Sequence, residues 1–301
     1  WAQDAAPPPA AATSSSAPVL DLPVGHAYGG AYIDFGDRED SVTLEALEKF
    51  DNLVGRKQAL IGFSSDWGNA RFPDRQLRII TAYGAVPLVY WSPWDRPLGA
   101  PQARNRYSLD RVLAGDWDQY IDMWSQAAAK LDSPILVAWG LEMNGKWFPW
   151  SGYFFGGGNP LPDQAGSFEG PEMFKQAYRY VVDRVRKNGA HNIEWVFHAN
   201  NTSDPEQPWN VMRNYYPGDA YVDWLGMSAY GMQYPDQGWA VVERVLTKPY
   251  QELAALNPDK PIILAEWGIG EFPKAGDKAA WLTEAFAVIQ EQCPRIKGAV
   301  F

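Results

Sequence analysis

Two carboxylates stand where short apolar runs end: Glu142 follows "ILVAWGL" and Glu266 follows "PIILA". Groups suited to holding a ligand come directly after each, with Asn144, Trp147 and Trp150 behind Glu142 and Trp267 behind Glu266. A pair of carboxyl groups can divide acid and base work. One protonates a leaving oxygen while the other attacks carbon or activates water, which is what cleavage of a glycosidic bond requires. Large aromatic rings suit the weakly apolar faces of sugars. A carboxylate closing an apolar strand is costly to bury without a role. Glu271 is the nearest rival to Glu266 and reads as a loop residue.

For two such distant groups to meet, the strands that carry them must end on one face. Near-continuous apolar runs predict seven buried strands, at 57–65, 85–92, 133–140, 192–199, 222–229, 260–268 and 296–301, with a weaker first strand within 23–33. Runs of this kind fit a parallel sheet covered on both sides. Between them lie segments of helical period such as "SVTLEALEKFDNLVG", "DWDQYIDMWSQAAAKL", "GPEMFKQAYRYVVDRVRKNGA" and "DKAAWLTEAFAVIQEQC", several with Gly near the end. Sustained strand–helix alternation predicts an α/β fold of the (β/α)8 TIM-barrel type. A doubly wound open sheet competes, but no G-x-G-x-x-G follows the first strand. Residues 1–22, rich in Ala, Pro and Ser, read as a tether, and 23–301 as a single barrel with no helix after the last strand.

Barrels gather function at the C-terminal ends of their strands. Taken in turn, those ends supply Trp67, then Trp91 and Trp94, then Glu142, Asn144 and Trp147, then His198 and Asn200, then Tyr230, and finally Glu266 with Trp267. They predict a polar and aromatic ring around one mouth. Trp147 and Trp267 are expected to stack on sugar, with Trp67, Trp94 and His198 as further candidates for substrate contact. Tyr230 could contact the second carboxylate or merely cap the core.

Composition narrows the partners. The 301 residues are 46% hydrophobic and 21% charged, ordinary for a folded chain, while 15 Trp and 15 Tyr exceed the needs of such a core. A net charge of −10 argues against nucleic acid, whose binding depends on clustered Lys and Arg. No run of 18 apolar residues appears, so no membrane span is expected. Small residues around the opening "AQD" would suit a processed export signal, giving a secreted or periplasmic protein as the expectation. The lone Cys293 excludes an internal disulfide and a multi-Cys zinc site. No metal or organic cofactor is expected, and the chain reads as a monomer.

The segment "ILVAWGLEMNGKWFPWSG" resembles the acid/base segment of glycoside hydrolase family 26. "PIILAEWGIG" is similar to that family's nucleophile strand, and "YYPGDAYVDWLGMSAYG" to its sixth-strand segment. The resemblance implies a barrel with the acid/base after the fourth strand and the nucleophile on the seventh. Glu142 would be the general acid/base, Glu266 the nucleophile and Tyr230 the partner that orients Glu266. It further implies retaining hydrolysis of a β-linked polysaccharide, with β-1,4-mannan as the first substrate. Many mannanases of the family carry His before the acid/base Glu, where this chain has Leu141. Mixed-linkage β-glucan or an exopolysaccharide is therefore the alternative substrate. A barrel that binds polysaccharide without cutting it is the alternative of another class.

Overall fold

The computed structural model describes residues 20–33, 35, 41–95 and 105–301. Eight strands alternate with helices: β1 (Tyr28–Tyr32), β2 (Leu60–Asp66), β3 (Val86–Ser92), β4 (Ile135–Trp139), β5 (Ile193–Asn200), β6 (Trp224–Tyr230), β7 (Ile262–Gly268) and β8 (Ile296–Val300). All pair in parallel and in chain order, and β8 closes on β1 through Tyr28 with Gly298 and Gly30 with Val300. This is the expected (β/α)8 barrel, and every predicted strand is present. The helices are α1 (Leu44–Val54), α2 (Asp74–Tyr83), α3 (Leu109–Leu113), α4 (Asp118–Ala128), α5 (Glu169–Lys187), α6 (Met212–Tyr215), α7 (Lys248–Ala254) and α8 (Lys278–Gln292).

Local chemistry accounts for the helix ends. Thr43 caps α1 by accepting from the Ala46 N–H at 3.2 Å, and Asp277 caps α8 by accepting from the Ala280 N–H at 3.0 Å. The longest helix, α5, buries Phe174, Ala177, Tyr178, Val181, Val182 and Val185, a stripe at helical spacing. It is clamped to α4 by Arg184, whose guanidinium reaches Asp118 and Asp122 at 2.6 Å each.

Strand parity sends alternate residues outward to this helical layer. Trp91 stacks on Trp124 of α4 at 4.2 Å, Trp139 lies 5.8 Å from Phe174 of α5, and Trp195 lies 6.2 Å from Tyr178. Much of the aromatic surplus is thus spent outside the strands. Of the expected tether, 1–19 lie outside the described residues. Leu20 is buried, and its N–H donates to Glu194 Oε1 at 2.7 Å.

One irregularity matters for function. Between β6 and β7 the register passes from Met227 opposite Leu264 to Ser228 opposite Glu266. Ala265 is the extra residue of a bulge, and its carbonyl accepts from the Tyr90 hydroxyl at 2.5 Å. Bulges re-aim the side chain that follows. Here that side chain is Glu266.

Candidate active site

Glu142 is presented by a sharp reversal at the end of β4. Gly140 has φ +60° and Glu142 itself φ +53°. Glycine enters this left-handed region freely, whereas an L-residue in it costs roughly 1–2 kcal/mol. The turn is held by the Glu142 N–H, which donates to the His198 carbonyl of β5 at 2.7 Å, and by the Gly145 N–H, which donates to the Glu142 carbonyl at 2.9 Å. The chain then folds Trp147 back over itself. A Cβ on Gly145 would lie 2.1 Å from the indole, so only glycine leaves room for it.

The carboxylate receives two hydrogen bonds. Trp147 Nε1–H reaches Oε2 at 2.7 Å and Asn200 Nδ2–H reaches Oε1 at 3.3 Å. Glu142 is only 8% exposed. Burial raises its pKa above the ordinary carboxylate range, and Ser228, Trp147 and Asn200 oppose that rise. Such a group favours its proton yet is equipped to lose it.

Glu266, half-buried on β7, accepts from the Tyr230 hydroxyl at 3.0 Å. Burial, reinforced by Glu266, pushes the Tyr230 pKa far up, so the phenol remains a neutral donor. The two carboxylates share one site. Both act on Tyr230 and on Tyr90, and Ser228, which lies opposite Glu266 in the sheet, also favours the ionised form of Glu142.

A cavity of about 1400 Å³ opens here, walled near the carboxylates by Tyr32, Ser64, Asp66, Tyr90, Trp94, Leu141, Phe148, Tyr230 and Glu266. Glu142 is not part of that wall. The cavity continues past Trp267 and Phe301 to Ala46, Phe50 and Leu53 of α1, so only part of its volume stands over the carboxylates.

The expected ring is therefore brought together in part. Trp94, Tyr230, Glu266 and Trp267 line the cavity, and half-buried Trp147 bonds Glu142. Trp67 does not line it. Fully buried, it packs against Trp91, Trp117, Tyr120 and Trp139, because the single 3-10 turn after β2 carries it outward. Trp91 is on the outward parity of β3, and Trp150 is buried with its N–H on the Leu141 carbonyl at 2.7 Å.

His198 is wholly buried inside the barrel, with Nε2 2.7 Å from Ser228 Oγ, and does not line the cavity. Asn144, expected at the sugar, is 1% exposed and ties its side chain to the end of β5 and the loop after it. Its amide donates to the carbonyls of Asn200 and Thr202 and to Ser203 Oγ, and its oxygen accepts from the Asn200 N–H at 2.8 Å. Glu271 is exposed beside a separate hollow at the start of α8.

Tyr32, Ser64, Tyr90, Phe148 and Ser228 were not anticipated. For the strand residues the signal was available: Ser64 and Tyr90 each fall two residues inside the end of their strand, on the same parity as Asp66 and Ser92. Phe148 carried no such periodic signal. Among the described residues, no three His, Cys, Asp or Glu side chains form a metal set, and no helix is long and apolar enough to cross a membrane.

Comparison with known proteins gives a consistent picture. A family model described as Glycosyl hydrolase family 26 matches residues 93–273. Endoglucanase H of Acetivibrio thermocellus is 29% identical over 265 residues, 85% of this chain and 26% of that protein. A mannan endo-1,4-beta-mannosidase of Bacillus subtilis is 30% identical over 173 residues, 56% of this chain and 39% of that protein. The chain thus spans well under half the length of these two relatives. Among solved structures, the Bacillus subtilis mannanase BCman superposes with a TM-score of 0.65 at 19% identity, covering 94% of this chain and 81% of that one, a likeness of fold.

Proposed function

The chain belongs to glycosyl hydrolase family 26, and from that premise we propose that it is a retaining endo-β-glycanase using Glu142 as acid/base and Glu266 as nucleophile. The observation that carries the reading is the pairing of unlike carboxyl environments at one site. Glu142 is dry and proton-favouring, while Glu266 stands on the cavity wall with a neutral phenol donating to it. Glu266 attacks the anomeric carbon as Glu142 protonates the departing glycosidic oxygen, leaving a glycosyl ester on Glu266. Glu142, now ionised and stabilised by Trp147, Asn200 and Ser228, takes a proton from water, which attacks the ester and regenerates both groups.

β-1,4-Mannan is the first substrate of this proposal, supported by the mannosidase and mannanase likenesses. A second reading, mixed-linkage β-glucan, is favoured by Leu141, an apolar residue on the cavity wall immediately before Glu142, and by the long match to an endoglucanase. As part of the same proposal the enzyme acts as a monomer, secreted or in the periplasm, where such polymers are met.

The test is reducing-sugar release from mannan, galactomannan, barley β-glucan, β-1,3-xylan and carboxymethyl-cellulose, followed by Glu142→Ala and Glu266→Ala on the best of them. Azide added to Glu266→Ala should yield a glycosyl azide of inverted configuration, and added to Glu142→Ala one of retained configuration. Near-normal hydrolysis by Glu266→Ala, or polysaccharide binding with no release by the unaltered protein, overturns the proposal.

A further inference from the structure

The inward aim of Glu266 depends on one break in the sheet. Continued without it, the pairing of Met227 with Leu264 would set Ser228 against Ala265 and Ala229 against Glu266. Ala229 lies on the outward parity of β6, since Trp267, its actual partner, meets Phe286 of α8 with ring centroids 5.3 Å apart. A slip of one residue turns a side chain to the other face of its strand. Without the bulge, Glu266 would therefore face the helices, away from Glu142 and the cavity.

The bulge is held from the far side of the barrel. β3 and β7 stand four strands apart in the closed ring of eight and so face each other across its interior. From β3 the Tyr90 hydroxyl crosses to donate to the Ala265 carbonyl at 2.5 Å, and both residues are buried. A bulge takes its extra residue out of the regular ladder, and a buried carbonyl left without a donor is costly. Burial raises the Tyr90 pKa, so the phenol keeps the proton it donates. Gly62 of β2 clears the path: a Cβ there would lie 2.9 Å from the Tyr90 hydroxyl oxygen and 3.1 Å from Cε2.

We propose that Tyr90 is a cross-barrel strut that fixes the β7 bulge through the Ala265 carbonyl and thereby positions Glu266 for attack, with Gly62 supplying the space the strut requires. Tyr90 is a positioning residue, acting on the nucleophile through the backbone of its neighbour. Its purpose rests on the reading of Glu266 as nucleophile, while the hydrogen bond itself can be measured without turnover. Tyr90 also contributes to the cavity wall, so the test separates the strut from direct contact with sugar.

Ala265–Glu266 is the only Ala-Glu step in the sequence, so protein labelled with carbonyl-13C alanine and 15N glutamate gives a single carbonyl–amide NMR correlation, that of the bulge. The variants are Tyr90→Phe, which removes the hydroxyl alone, and Gly62→Ala, which keeps the hydroxyl and crowds it. The Ala265 carbonyl resonance should move upfield in Tyr90→Phe, as the donor is lost, and in the same direction by less in Gly62→Ala. On the polymer best hydrolysed, kcat should fall about 10- to 100-fold in Tyr90→Phe, as for a reacting group misplaced by up to an ångström, with KM changed by no more than about twofold. Gly62→Ala should lower kcat by a smaller factor, again with KM kept.

A carbonyl resonance unmoved in Tyr90→Phe overturns the strut. So does a kcat left unchanged while the resonance moves, or a raised KM with the resonance unmoved, which would make Tyr90 a sugar contact. Circular dichroism separates intact variants from misfolded ones; should one misfold, the same criteria apply to the other. A resonance that moves as expected in a protein that hydrolyses nothing leaves the strut standing and removes the functional reading instead.

Discussion

Asn144→Ala separates a sugar contact from a structural brace. In the structure this side chain makes four hydrogen bonds to the end of β5 and the loop after it: it accepts from the Asn200 N–H and donates to two carbonyls and one hydroxyl. Net values near 1 kcal/mol apply to each, and the longer bonds at 3.2 and 3.3 Å count for less, so the loss sums to about 3 kcal/mol. For a chain of this size that corresponds to a fall in Tm of about 5 °C. Calorimetry or dye-monitored melting measures it directly.

Function should suffer through Asn200, whose amide also donates to Glu142 Oε1. Loosening the loop should lower kcat several-fold and leave KM nearly unchanged. Asn144→Asp makes a useful control. It keeps an acceptor for the Asn200 N–H but turns a donor into a second acceptor facing carbonyls, and should destabilise at least as much. An unchanged Tm accompanied by a raised KM would refute the brace and return Asn144 to the substrate.

Other consequences can be measured in the same preparations. Trp147→Phe removes the 2.7 Å donor to Glu142, so the carboxyl should hold its proton to higher pH and the alkaline limb of kcat/KM should move up by about one unit; a downward or absent shift contradicts the assignment. Glu142→Gln should melt increasingly above the unaltered protein as pH rises. The folded pKa of Glu142 is raised, so its contribution to stability is fully present below the unfolded value near 4 and is lost as pH climbs through the folded one. Melting curves between pH 4 and 9 check this, and a gap that widens toward acid would be the wrong sign. Leu141→His places a ring donor on the cavity wall and should shift the ratio of mannan to β-glucan hydrolysis toward mannan, by about tenfold if one hydrogen bond is gained in the transition state; paired initial rates on the two polymers measure it.

Most of the fold is legible in the sequence because its strands are covered on both faces. Runs such as "LIGF", "PLVYW" and "IILA" are apolar nearly end to end, and the turns between them are punctuated by residues such as Gly55 and Gly84, which take the left-handed conformation that closes α1 and α2. The positions of Glu142 and Glu266 at strand ends follow from the same runs. The fate of the aromatics is less legible. Trp67, Trp91 and Trp94 look alike near strand ends, but Trp91 has the outward parity of β3, the 3-10 turn after β2 carries Trp67 into the same outer layer, and Trp94 alone of the three meets the cavity.

By itself the sequence determined the order of strands and helices, the barrel they predict, and which two carboxylates stand at strand ends, since these depend on local periodicity and composition. Only the tertiary structure decided that Glu142 sits in a left-handed turn anchored to the β5 carbonyl of His198, that a bulge at Ala265 aims Glu266, and that Ser228 adjoins both acids. Those facts arise from contacts between strands remote in the chain. Their partners are chosen by closure of the barrel and its register, which no local pattern encodes.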